Sequence, residues 1–225
     1  MVNEPEDIQL RFDGGSVRQL DGAPAEAVIT SLSALQRMVL IIGMRSEGRA
    51  LGQRLKPTKK VKREYAVFCR APKSGSHIQP FSIASQLGVY TPAAAAAREK
   101  LLEALKAFDS GDENTVTRAL PDARERWFMA DAASGLLPPA HSELQVTLRV
   151  GPNGPLNFKA DRARALIQHF CAGTPPEAGT EEFVGKLRAI DYSQTLLTVK
   201  PSHNRAIRIA YPIVLESWLQ ANVRA

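Results

Sequence analysis

Val28, Leu32, Leu35, Val39 and Ile42 recur at spacings of 4, 3, 4 and 3 residues. That rhythm puts them on one stripe of a helix with 3.6 residues per turn. Ile29, Met38 and Ile41 widen the stripe, so this helix is expected to pack across a sheet. Pro24 stands just before it, where a first helical turn accepts proline.

Strands are legible on both sides of the helix. Ile8, Leu10 and Phe12 alternate with Gln9 and Arg11, and Asp13-Gly14-Gly15 then turns the chain toward Val17–Leu20, the pattern of an opening β-hairpin. After the helix, Tyr65–Arg70 and His77–Ala84 read as a second hairpin around Pro72–Ser76, which completes a β-α-β-β unit.

The middle of the chain is helical. Thr91-Pro92 starts a helix with Ala94, Leu101, Leu105 and Phe108 on one face, and Ser110-Gly111 ends it. A further stretch, Thr117–Ser134, is broken or begun at Pro121, with Leu120, Trp127 and Phe128 as its buried side chains. Leu144, Val146, Leu148 and Val150 alternate with polar residues as in a strand with one wet face. Gly151–Pro155 reads as a turn, and Asp161 opens a short helix carrying Leu166, Ile167 and Phe170.

Gly173–Thr180 has the composition of a linker. Beyond it, Phe183–Ile190, Thr195–Lys200 and Ala206–Tyr211 form three short strands with tight connections, the signature of a small barrel. Pro212 starts a short helix with Val214, Leu215, Trp218 and Leu219. A barrel of this type needs about five strands. Either Leu144–Val150 lends one, or the chain stops before the last of them. The expected fold class is therefore α+β: residues 1–172 form a domain with a β-hairpin/helix/β-hairpin unit, a helical middle section, one further strand and a helix. Residues 181–225 form a small SH3/OB-like β-barrel.

Charge is distributed unevenly over this frame. The chain carries +6 overall, but residues 45–73 hold ten Lys and Arg against Glu47 and Glu64, a local +8, so the remainder is 6 − 8 = −2. Gly48, Gly52 and Pro57 break regular structure within Arg45–Lys62, so an exposed loop is expected there. Concentrated positive charge suits phosphate backbones, acidic partners or anionic surfaces, although charge runs also occur on solvated loops that bind nothing.

With 225 residues and 44% hydrophobic content, the chain can bury a core of one large or two small domains. Cys69 and Cys171 show no pairing framework and fit two core thiols in a reducing compartment. The start, Met1–Asp7, is acidic and no apolar region follows it, unlike a secretory signal. The most apolar run, Met38–Met44, is far short of the roughly 20 residues of a membrane helix. A cytoplasmic protein with no membrane partner is expected.

Leu10–Gly15, the helix after it, and Cys69-Arg70-Ala71-Pro72-Lys73-Ser74-Gly75-Ser76 after a basic loop resemble an uncharacterised bacterial family. In that family an N-terminal α+β domain precedes a five-stranded β-barrel, and Gly185–Asp191 resembles the first strand and turn of that barrel. The resemblance implies a fold and no activity. It covers both ends of the chain and is weak over Tyr90–Thr180.

Candidate chemistry is sparse. Ser74, Ser76 and His77 offer a nucleophile beside a base, but neighbours in a turn rarely give the geometry an activated serine needs. Lys73–Ser76 can form either a nest of backbone amides for an anion or a plain hairpin turn. No Walker lysine pattern or GxGxxG is present. Arg164 and His169 have a spacing found in some helical ribonucleases, against a plain reading as a surface arginine and a half-buried histidine. His77, His141, His169 and His203 are scattered, so no metal is expected, and no cofactor either. Asp109, Asp112 and Glu113 lack the alternation of a calcium loop and read as helix caps.

The remaining signal is basic. Arg45, Arg49, Arg54, Lys56, Lys59, Lys60, Lys62 and Arg63 combine with Lys186, Arg188, Tyr192, Lys200, His203, Arg205 and Arg208 on the C-terminal strands. Such side chains neutralise phosphates, and Tyr192 can stack a base. The function expected is a non-catalytic binding or adaptor protein that holds a nucleic-acid backbone. The alternative is a protein-interaction subunit of a bacterial multi-protein system, such as a defence system, with an acidic partner. A phosphodiesterase using Arg164 and His169 comes third.

Overall fold

A computed structural model describes residues 8–14, 17, 22–52, 54–70, 78–138, 142–150, 153–158, 161–176, 185–191, 196–201, 207–210 and 219–220. The chain divides into two compact units, Met1–Ala178 and Gly179–Ala225.

The first unit is α+β. Its strands are β1 (Ile8–Asp13), β2 (Ala66–Cys69), β3 (Ile78–Ala84), β4 (Gln145–Val150) and β5 (Asn153–Asn157), joined in the order β2-β3-β1-β4-β5 with every neighbouring pair antiparallel. Its helices are α1 (Ala25–Ser46), α2 (Lys59–Glu64), α3 (Pro92–Ser110), α4 (Glu113–Ala119), α5 (Ala123–Ala133) and α6 (Asp161–Phe170).

Period-2 alternation sets the sheet's inner face. Ile8, Leu10 and Phe12 of β1 are buried, and register aligns them with Val150, Leu148 and Val146 of β4. Arg11 and Arg149, one step out of phase, are exposed. A slip of one residue would turn the whole apolar set to water, so the hydrophobic pattern fixes this pairing.

The helices supply the other side of the core. Leu35, Met38, Val39, Ile41 and Ile42 of α1 are buried, as are Ala94, Leu101, Leu105 and Phe108 of α3. Thr91 Oγ1 accepts from Ala94 N at 3.1 Å, and Gly111 ends α3 with φ +68°. At such an end the left-handed conformation favours glycine. Asp112 caps α4 and Asp122 caps α5 by accepting from Thr115 N and Glu125 N.

Several expectations change. β1 sits between β3 and β4 rather than in a hairpin with Val17–Leu20. Val17 is helical, and 18–20 lie outside the described residues. Pairing with β4 draws Asn153–Asn157, expected largely as a turn, into strand β5. The helical stretch is broken at Pro121 as expected, into α4 and α5, but it begins at Glu113 rather than Thr117. Ile29 is 64% exposed rather than part of the apolar face, and Trp127 is half-buried beside a buried Phe128. Neither cysteine is a core thiol, since Cys69 is exposed and Cys171 half-buried.

By length and composition α1 could cross a membrane, which the short run Met38–Met44 did not reveal because Gln36 and Arg37 interrupt it. Half of that span is buried inside the fold.

In the second unit β6 (Gly185–Asp191), β7 (Leu196–Pro201) and β8 (Ile207–Ala210) make an antiparallel sheet in chain order. Among the described residues it does not close into a barrel. Leu144–Val150 belongs largely to β4 of the first sheet and lends it no strand. Of the expected C-terminal helix, Leu219 and Gln220 are described, and both are helical.

Candidate nucleic-acid interface

Residues 45–63 are less loop-like than their glycines and proline imply. Arg45 is in the last turn of α1, and Lys59, Lys60, Lys62 and Arg63 are on α2. Six residues form a marginal helix on their own. Thr58 caps this one by accepting from Val61 N at 3.2 Å, and Val61 and Tyr65 anchor it in the core. With that face buried, Lys59, Lys62 and Arg63 are held in solvent. Lys62 and Arg63 lie in the last turn, where the helix dipole favours cations.

Two of the expected contact residues are committed elsewhere. Arg45 places Nη2 3.3 Å from Asp122 and Nε 3.3 Å from Glu125, tying the end of α1 to the start of α5. Burial pushes the Glu125 carboxyl above the ordinary glutamate range, and the Arg45 guanidinium pulls it back in part. Lys60 Nζ contacts both carboxylate oxygens of Glu47, at 2.6 and 2.8 Å. This bridge ties the start of α2 to the residue that follows α1.

The others remain available. Arg49, Arg54, Lys56, Lys59 and Lys62 are exposed and have no ion-pair partner among the described residues. Arg63 is 3.4 Å from neighbouring Glu64, an exposed pair of little strength. The positive surface is therefore made by Arg49, Arg54, Lys56, Lys59, Lys62 and Arg63, and Arg45 and Lys60 brace its ends.

The second unit has its own basic positions. Register sets Lys186 of β6 directly opposite Lys200 of β7, and both are exposed. Arg188 is exposed where the β6–β7 register shifts, and Arg208 is opposite Thr198. Tyr192, His203 and Arg205 fall outside the described residues, as do Lys73, Ser74, Ser76, His77 and His141.

Arg164 and His169 do not form one centre. Five residues along a helix rotate a side chain by about 140°. Arg164 donates to the Pro138 carbonyl at 2.8 Å, whereas exposed His169 lies 4.0 Å from Glu113. The expected exposures are thus reversed, with the arginine half-buried and the histidine in water. Among the described residues no group of three or more His, Cys, Asp or Glu could hold a metal.

Leu87 and Val89, overlooked in the sequence, are 82% and 55% exposed. They follow β3, and Gly88 between them was the available signal of a turn. Comparison with protein-family models, curated proteins and solved structures returns no match for this chain.

Proposed function

We propose that the protein is a non-catalytic binding or adaptor protein that holds a nucleic-acid backbone on the surface bearing Arg49, Arg54, Lys56, Lys59, Lys62 and Arg63. The observation that carries this reading is the set Arg49, Arg54, Lys56, Lys59 and Lys62, exposed and without acidic partners among the described residues. On α2 the like charges of Lys59, Lys62 and Arg63 are three and four residues apart, which weakens an isolated helix. A row of phosphates relieves that repulsion and releases counterions.

The C-terminal sheet serves as a second phosphate-binding surface. Like charges directly opposite each other on a sheet are unfavourable, so the Lys186 and Lys200 pair gains from an anion. We read this sheet as part of a small SH3/OB-like barrel. The register shift at Arg188 supports that reading, because a bulge bends and twists a strand as closure requires. Assignment to the bacterial family and a cytoplasmic location belong to the same proposal, supported by residue patterns alone.

Fluorescence anisotropy with labelled single-stranded DNA, duplex DNA and RNA across a salt series tests the function. The variant carries Ala at Arg49, Arg54, Lys56, Lys59 and Lys62. Steep salt-dependent binding by the wild type, with a shallower slope in the variant, supports it. Absence of binding at low salt overturns it and directs attention to an acidic protein partner.

A further inference from the structure

Beside α2, the turn Ser85–Val89 holds its apolar side chains in water, with Leu87 82% and Val89 55% exposed. The turn is well fixed. Ser85 N–H donates to Val89 O at 3.0 Å, Gly88 N–H donates to Ser85 O at 2.8 Å, and Gly88 adopts φ +71°. It is also pinned to the basic helix, because Gln86 N–H donates to the Arg63 carbonyl at 2.6 Å. An exposed leucine thus stands next to the residue bonded to the end of a cationic helix.

Isolated surface leucines are common and need no ligand. This one differs in having an ordered turn, a second exposed apolar residue two positions on, and a direct tether to the basic surface. We propose that Leu87 is an apolar wedge that enters a base step of duplex DNA while Lys59, Lys62 and Arg63 hold the flanking phosphates. The proposal rests on the phosphate-backbone reading above and names the form of nucleic acid that the surface takes.

The chemistry of the tip favours a duplex over a single strand. Single-strand binders stack bases on exposed aromatic rings. Here Tyr65 is buried and Tyr90 half-buried, and the exposed large apolar side chains among the described residues are all aliphatic. An aliphatic side chain gives a base no ring to stack on, but aliphatic wedges do part stacked base steps from the minor groove, beside cations that grip the backbone. Wedge insertion also calls for a tip that does not fold back, and the two hydrogen bonds around Gly88 meet that need.

The test uses the full chain and duplex DNA carrying 2-aminopurine, whose fluorescence rises when its step unstacks, with anisotropy on matched duplex and single strands. The proposal predicts a fluorescence rise with the wild type. It further predicts that Leu87→Ala abolishes the rise and weakens duplex affinity several-fold, with single-strand affinity and the salt slope unchanged. Leu87 lies outside the core, and circular dichroism checks that the variant keeps its fold. Salt-dependent binding with no rise, or with Leu87→Ala equal to the wild type, overturns the wedge and leaves the backbone reading standing. No binding to any polynucleotide overturns both. Binding instead to phosphatidylglycerol vesicles, lost in Leu87→Asp, also overturns both and assigns the tip to an anionic bilayer.

Discussion

A Cβ on Gly43 would lie 2.6 Å from Cδ2 of Tyr65, so α1 and the residue that ends α2 meet at a separation only glycine allows. Glycine inside a helix is unfavourable by about 0.5–1 kcal/mol relative to alanine. Its presence in α1 is explained by this contact, which seats the ring that anchors the basic helix.

Gly43→Ala is therefore expected to destabilise the fold. Overpacking is worth about 1–3 kcal/mol, and better helix propensity offsets about 1 of it. Denaturant unfolding checks the loss. In a Tyr65→Leu background the same substitution should lose most of its effect, because the two positions are coupled by contact.

Gln36 closes the outer edge of β2. Its Oε1 accepts from Val67 N at 2.8 Å, and its Nε2 donates to Tyr65 O at 3.2 Å. Gln36→Ala should lower stability by about 1–3 kcal/mol, since two partly buried backbone groups lose their partner. Gln36→Glu keeps the acceptor and loses the donor, so its unfolding midpoint should fall between those of the wild type and the alanine variant.

Glu125 gives the stability a pH dependence. Burial raises its folded pKa above the ordinary value of 4.5. The folded state therefore binds the proton more tightly than the unfolded chain, and stability falls as pH rises from 4.5 through the folded pKa. Glu125→Gln should flatten that part of the profile, measured as unfolding midpoints from pH 4 upward in about half-unit steps. A profile unchanged by the substitution would show that Arg45 compensates the burial fully.

Lys186→Glu should separate stability from binding. It replaces a like-charge cross-strand pair with an opposite-charge one facing Lys200, a change of about 0.2–1 kcal/mol in favour of the C-terminal sheet. Polyanion affinity should fall at the same time. Thermal unfolding and anisotropy on one preparation test both, and a parallel change in the two would contradict the role given to the pair.

Local pattern decided what most of the long periodic segments are. The stripe from Val28 to Ile42, the alternation from Leu144 to Val150 and the Thr91 cap were all legible, because periodicity and capping depend on neighbours within a few residues. So was the concentration of cations in residues 45–73, which is a matter of counting. Tertiary structure decided which partner each residue meets. It placed β1 between β3 and β4, drew Asn153–Asn157 into β5, tied Arg45 to Asp122 and Glu125, and left Leu87 in water. Those outcomes depend on side chains distant in sequence competing for one core, one sheet edge or one counter-charge, and no short window of sequence contains that competition.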